Sequence, residues 1–379
     1  MAKEYLDLPL EKKHRLSINY DLFAYIKDEI EEFLSEESFM FTRQFAKKVM
    51  FSHEVKSNNM VEGITDDLML IREVIKDAEQ IKDENQRKRI INLYKAYQYI
   101  LTHRVIDPIH LKELYGILSD GLLKPSDLSR MGTFYREGAV YILKSGRIDI
   151  EPDEGLSYDK VPKYMDNYFN FVKSESSKLY TSTEDFIVSQ IMHFYFVYIH
   201  PYFDVNGRTS RTLAMWYLLN KKAYPFIIFN RAINFDQAYY DKAIIDTKKF
   251  ADVTFFVRYM MENVKKELEK EYLMHQIRGE ISAKLTSIDY QSLIYFLSMN
   301  GEINVLNFAN MYNRFNDKKS VKNIYEEMIL PLKEKGILLV SRVTTRNMFG
   351  DFPNEVLTIN PAKVDKKDPK IKRLNMENK

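Results

Sequence analysis

Residues 182–199, STEDFIVSQIMHFYFVYI, constrain the fold more than any other stretch. The run is apolar on nearly every face of a helix, so the helix it predicts cannot lie on a surface and needs other helices on all sides. Ser182 or Thr183 offers an N-cap, and Glu184 and Asp185 place acids in the first turn. The longest apolar stretches, such as FYFVYI and YPFIIF, are far too short to span a bilayer. The partners for this helix are present in the same chain. YDLFAYIKDEIEEFL sets Leu22, Ile26, Ile30 and Leu34 on one face, and RKRIINLYKAYQYILTH does the same with Ile90, Leu93, Tyr97 and Leu101. PIHLKELYGILSDGLL begins with Pro108, which suits a first helical turn. A helical bundle is predicted over most of the first 275 residues.

Two segments break the helical texture. GTFYREGAVYILKSGRIDIEP alternates, is rich in β-branched residues and contains a Lys-Ser-Gly turn, so it predicts a short β-hairpin inserted among helices. A hairpin this small must pack on something or cover something. From about residue 284 come three short helices and then two strands joined by a basic turn, the outline of a winged helix. From Gln276 onward there are 17 basic and 12 acidic residues, a mild excess that leaves DNA binding, protein docking and dimerisation all open for this part. The expected architecture is mainly α: a helical bundle with a small hairpin flap, plus a small α+β winged-helix-like C-terminal domain. Residues 366–379 are polar and Lys-rich and predict a disordered tail.

Composition narrows the function. The chain of 379 residues is 45% hydrophobic, enough for two or three domains, and its formal net charge of +2 implies no charge-driven partner for the whole molecule. It has no cysteine, so disulfides and thiolate zinc sites are excluded. The N-terminus lacks the apolar run of a signal peptide, and the expectation is a soluble, cytoplasmic protein without a membrane partner. No GxxxxGK[ST], kinase glycine loop or HExxH motif is present, which leaves ordinary kinases and zinc hydrolases without support.

The chemistry concentrates in HPYFDVNGRTSR, residues 200–211, between the apolar helix and the next helical run. Asn206 and Gly207 fall near a helix N-terminus, where free N–H groups and the dipole attract anions. Gly207 permits close approach of a ligand to the backbone. Arg208 and Arg211, three apart, project from one face and suit a polyphosphate better than a single carboxylate. Asp204 supplies a hard oxygen for Mg²⁺, which binds through one or two carboxylates plus substrate phosphates. His200 can serve as a general base. Taken singly, each has an ordinary reading as a cap, an ion pair or a solvated face; together in one loop they describe machinery for phosphoryl or nucleotidyl transfer. His193, seven residues before His200, reads as a core histidine.

The loop resembles the signature of the Fic family, His-Pro-Phe-x-Asp/Glu-Gly-Asn-Gly-Lys/Arg with a further Arg three residues on. His200, Pro201, Asp204, Asn206, Gly207, Arg208 and Arg211 match in register, and the likeness extends over roughly residues 50–270. GTFYREGAVYI resembles the family's flap, and FDQAYYDKAI its later helix with a Tyr-Tyr pair. The resemblance implies a Fic-type catalytic core over 105–275 behind an N-terminal helical region, 1–104, with the winged-helix-like part at 284–365. It also implies transfer of AMP from ATP to a Ser, Thr or Tyr hydroxyl of a protein. In that scheme His200 is the base, and Asp204 holds Mg²⁺ against the phosphates. The segment from Val205 through Asn206 and Gly207 binds phosphate, and Arg208 neutralises the leaving group. Val140, Tyr141 and Ile142 pair with the target segment, while Tyr239 and Tyr240 line the adenine pocket. Removal of AMP by the same site, use of another nucleotide, and a nucleotide-sensing DNA-binding regulator are the alternatives.

Two residues depart from the pattern. Tyr202 replaces Phe, a mild change if its hydroxyl finds a partner. Val205 stands where the family mostly has Gly, and a β-branched residue disfavours positive φ, so either the loop does not need that conformation or its anion nest is altered. Upstream, HEVKSNNMVEGITDDL has the look of a helix end, with Gly63 as a C′ residue and Thr65 as the next N-cap. It is similar to the family's inhibitory helix, placed here around residues 50–63. Asn58 stands where that pattern has Ser or Thr, and by the resemblance Glu62 pairs with Arg211.

Overall fold

The computed structural model describes residues 3–11, 15–37, 40–62, 71, 84–142, 153–233, 237–284, 302–315, 318–336, 338–343 and 355–360. They fall into two compact units, residues 1–268 and 269–379. The first unit is helical around one central pair. Helices α1 (Ala24–Glu37), α2 (Arg43–Val49), α3 (Val55–Val61), α4 (Glu84–Thr102), α5 (Pro108–Ser119), the short α6 (Pro125–Leu128) and α7 (Val161–Ser177) precede that pair, α8 (Ser182–Ile199) and α9 (Asn206–Asn220). After it come α10 (Phe229–Ile233), α11 (Gln237–Phe250) and α12 (Thr254–Lys284). A π-helical turn, Met50–Glu54, joins α2 to α3.

Helix α8 is buried at every position from Asp185 to Phe196, as its composition requires. Its N-cap is Thr181, one residue ahead of the predicted pair. The hydroxyl of Thr181 accepts from the Glu184 N–H at 3.2 Å, and the Glu184 carboxylate accepts from the Thr181 N–H at 2.9 Å, a reciprocal capping box. Pro108 opens α5 as predicted, and Asp107 caps it. Helix α9 is buried from Arg208 to Leu219 despite its polar start. Ser210, Thr209 and Thr212 donate to the carbonyls of Gly207, Val205 and Arg208 at 2.7, 2.7 and 2.8 Å, so their hydroxyls enter the core already satisfied. Among the described residues no helix is long and apolar enough to cross a membrane.

The β content of this unit is small. Strands β1 (Glu4–Tyr5) and β2 (Ser17–Ile18) pair antiparallel, and Ser17 then exchanges backbone bonds with Ala251 and Val253. The predicted hairpin appears as β3 (Tyr141–Ile142) against β4 (Asp153–Glu154), register Tyr141↔Glu154. Its Lys-Ser-Gly turn lies outside the described residues, as do Gly63 and Thr65.

The second unit holds a three-stranded antiparallel sheet, β5 (Glu302–Asn304), β6 (Leu338–Val343) and β7 (Glu355–Ile359), in the order β5-β7-β6. Helices α13 (Val305–Phe315), α14 (Val321–Ile324) and α15 (Leu330–Glu334) lie between β5 and β6 in sequence. Phe308, Ile324, Ile329, Leu332 and Leu357 are buried in its core. This is the small α+β arrangement expected from the sequence. Its first predicted helix, the basic turn between the last strands and the tail at 366–379 lie outside the described residues.

Candidate active site

The site is built on the turn between α8 and α9. His200 caps α8 in the left-handed conformation, φ 51° and ψ 60°, and Pro201 prevents the helix from continuing. Burial and the Arg136 guanidinium lower the His200 pKa to about 4, against the opposing pull of the Val197 carbonyl and Glu62, so the imidazole is held neutral. Tyr202 follows and stacks on Tyr115 with ring centroids 3.5 Å apart. The ring is buried as a Phe would be, but its hydroxyl has no hydrogen-bond partner among the described residues. Arg130 lies over the Phe203 ring, 4.4 Å from its centroid.

Val205 is the N-cap of α9 at φ 67° and ψ 8°. The loop therefore does need positive φ at this position, and here a β-branched residue supplies it. Burial of the side chain, 3% exposed, holds it in that conformation. Asp204 is exposed, and one of its carboxylate oxygens accepts from the Val205 N–H at 2.6 Å. Asn206 is committed to the loop itself: its amide accepts from the Tyr202 N–H at 3.0 Å and donates to the Tyr202 carbonyl at 2.8 Å. These two bonds shape the cradle. Gly207 is closely packed: a Cβ there would stand 2.5 Å from a Glu62 carboxylate oxygen and 3.1 Å from the Arg211 guanidinium, so the Glu62 side chain would have to shift.

Both arginines of the signature are buried, Arg208 at 5% and Arg211 at 1% exposure. Arg211 donates from Nε to the Asn58 side-chain oxygen at 2.9 Å and from Nη2 to Glu62 Oε1 at 2.6 Å. Asn58 in turn donates to the Tyr97 hydroxyl at 3.1 Å. Asn58 and Glu62, both presented by the α3 end, therefore grip the same cation. Burial disfavours the Glu62 charge, but Arg211, with Arg208 and His200 beyond it, outweighs this and lowers its pKa. Burial also disfavours the Arg208 cation, which Glu62 and Asp204 partly offset, and its Nε has no hydrogen-bond partner among the described residues.

The remaining predicted residues are more dispersed. Tyr240 is buried and shares a 3.0 Å hydrogen bond with His193 Nε2, so His193 is a core residue. Tyr239 is 61% exposed. Val140 is buried at the root of the hairpin and Tyr141 is 66% exposed on its strand. Asp204 suits Mg²⁺ as one carboxylate beside substrate phosphates; among the described residues there is no cluster of three or more metal-ligating side chains. Sequence reasoning did not single out Arg136 or Tyr115, and read Tyr97 only as part of an apolar helix face. An arginine at the mouth of a hairpin reads as surface, and nothing local signals that it is 1% exposed.

A buried arginine pair in the first turns of one core helix and a neutral histidine at the end of the preceding one make this turn a cationic, desolvated site in a helical domain. Residues 106–218 match the Fic/DOC family model. Similar proteins include the protein adenylyltransferase Fic of Aedes aegypti, 26% identical over 231 residues, covering 59% of this chain and 42% of that protein. The protein adenylyltransferase Fic of Culex quinquefasciatus is 28% identical over 230 residues with the same coverage, 59% and 42%. The chain thus spans less than half the length of these curated relatives. A Fic family protein from Desulfovibrio desulfuricans G20 has a similar fold, with a TM-score of 0.53 at 18% identity over 90% of this chain and 95% of that one.

Proposed function

We propose that this chain is a protein adenylyltransferase that moves AMP from ATP to a hydroxyl of a protein, itself included, and that Glu62 restrains it. The observation that carries the proposal is a carboxylate in an anion's place. Glu62 Oε1 sits over the N-terminus of α9, 2.6 Å from Arg211 and against Gly207, where a phosphate group would be held. Removing that carboxylate would leave two buried cations beside a helix N-terminus, an arrangement that favours an anion.

In the reaction the target hydroxyl oxygen forms a bond to the α-phosphorus of ATP. The bond from that phosphorus to the bridging oxygen breaks, and pyrophosphate leaves with the electron pair. His200 takes the hydroxyl proton; it is already neutral, and bound phosphates would raise its basicity toward neutral pH. Arg208 and the α9 N-terminus stabilise charge on the departing pyrophosphate. Asp204 would hold Mg²⁺, which when bound neutralises the phosphates. The β3 strand, Tyr141–Ile142 with Val140 at its root, would add a target segment as a further strand.

Hydrolytic removal of AMP at the same site, with Glu62 positioning a water that attacks the phosphorus and the protein hydroxyl leaving, or use of another nucleotide, fits the same residues. A DNA-binding role for the second unit has less support: the exposed face of α14 and the turn after it carries Glu326 and Glu327 beside Lys322 and Asn323. Docking of a protein or of a second copy is the better reading there. Parallel incubations with ATP labelled at the α- or the γ-phosphate test the reaction. Label should remain on protein only from the α-position. Retention from the γ-position would make the chain a phosphotransferase instead, and retention from neither, with any nucleoside triphosphate, would refute the proposal.

A further inference from the structure

We propose that Arg136 is a positioning residue: one buried guanidinium clamps the catalytic-loop carbonyl of His200 to both roots of the β3–β4 hairpin. This deepens the adenylyltransferase reading and rests on it for the meaning of the hairpin. Nε of Arg136 donates to the His200 carbonyl at 2.8 Å, Nη1 to the Gly138 carbonyl at 2.6 Å, and Nη2 to the Leu156 carbonyl. The Arg136 N–H adds a fourth bond, to the Pro201 carbonyl at 3.0 Å. Gly138 precedes β3 and Leu156 follows β4, so the two ends of the hairpin and the base-bearing turn converge on a single planar group. A guanidinium is suited to this because its donors form a rigid fork in fixed directions, which an ammonium cannot reproduce.

The geometry has two consequences. His200 occupies a left-handed conformation that costs an L-residue about 1–2 kcal/mol, and a charged donor on its carbonyl holds it there. The hairpin, only two residue pairs among the described residues, cannot stand alone and takes its orientation from the clamp. Base and target-docking strand are therefore set relative to each other by one side chain. The same cation faces the imidazole together with Lys248, while Glu62 opposes them, so Arg136 also helps to keep the ring neutral.

Arg136→Lys and Arg136→Gln in the full chain separate fork from charge. Hydrogen exchange of the hairpin amides around Val140, Tyr141 and Gly155, and NMR titration of the His200 ring, are the readouts. In Arg136→Gln the hairpin amides should exchange about tenfold faster or more, from loss of hydrogen bonds to a charged group. The His200 midpoint should rise by about one pH unit. Arg136→Lys should quicken hairpin exchange but leave the midpoint low, because it keeps the charge and loses the fork. Where transfer is measured, kcat should fall in both variants with KM for ATP unchanged. Wild-type exchange and titration in Arg136→Gln would overturn the clamp. So would exchange that quickens equally through α8 and α9, which would mean a general loss of stability. Neither primary readout uses nucleotide, so a wild type inactive on ATP would sink the adenylyltransferase reading while these measurements still judge Arg136.

Discussion

Replacing Val205 by Gly and by Ala should reverse the usual ranking of those two residues. In ordinary backbone conformations alanine is the more stable of the pair by about 0.4–1 kcal/mol, because glycine has more freedom to lose on folding. At φ 67° any Cβ adds strain of about 1–2 kcal/mol, and only glycine escapes it. The difference leaves Val205→Gly above Val205→Ala by about 1 kcal/mol. Both should fall below wild type, because the valine side chain is 3% exposed and burying it contributes about 1.5–3 kcal/mol, more than the strain it imposes. Thermal or urea unfolding of the three proteins measures this, with Gly melting about 2–4 °C above Ala. An Ala variant as stable as the Gly variant, or more so, would show that the left-handed turn is not what Val205 experiences in solution.

Tyr202→Phe removes a buried hydroxyl without a partner while keeping the ring on Tyr115, so stability should rise by about 1 kcal/mol; a lower melting temperature would mean that the hydroxyl is satisfied after all. The depressed His200 pKa predicts a pH signature. The unfolded imidazole takes a proton below about 6.5, while the folded one waits until about 4. Its contribution to stability is therefore complete above the first value and lost as pH falls through the window between them. Urea midpoints of wild type should fall relative to His200→Gln across that window, and parallel curves would contradict the neutral buried base.

Much of this was legible in the sequence because it is local. The run 182–199 fixes a buried helix through composition alone, and the loop at 200–211 brings His200, Arg208 and Arg211 together within a few residues of chain. The alternation around Val140–Ile142 gave the hairpin, and the likeness to the inhibitory helix gave the partner of Arg211. What was hidden depends on long separations. Arg136 reaches His200 across 64 residues, and Ser17 reaches Ala251 across 234. Periodicity reports which face of an element is apolar, not which distant carbonyl a guanidinium will meet. Asn206 illustrates a subtler limit. An amide at a helix start reads equally as a ligand donor or as a loop clamp, and only its two bonds to Tyr202 distinguish them. Val205 broke the local rule for positive φ, which is where sequence reasoning is expected to fail at a functional loop.

In the proposed reaction one carboxylate, Glu62, restrains nucleotide transfer through Arg211. The pair is half-buried, with Arg211 at 2% and Glu62 at 35% side-chain exposure, so its restraint should lie between that of surface and buried bridges, about 1–3 kcal/mol. That corresponds to roughly a five- to 150-fold change in the competent population. Intact-mass spectrometry of wild type, Glu62→Gly and His200→Ala after incubation with ATP and Mg²⁺ tests it most directly. The expected result is a mass gain of AMP that is strong in Glu62→Gly, weaker by that factor in wild type and absent in His200→Ala. Equal labelling of wild type and Glu62→Gly would remove the restraint, and no gain in any of the three would refute AMP transfer by this chain.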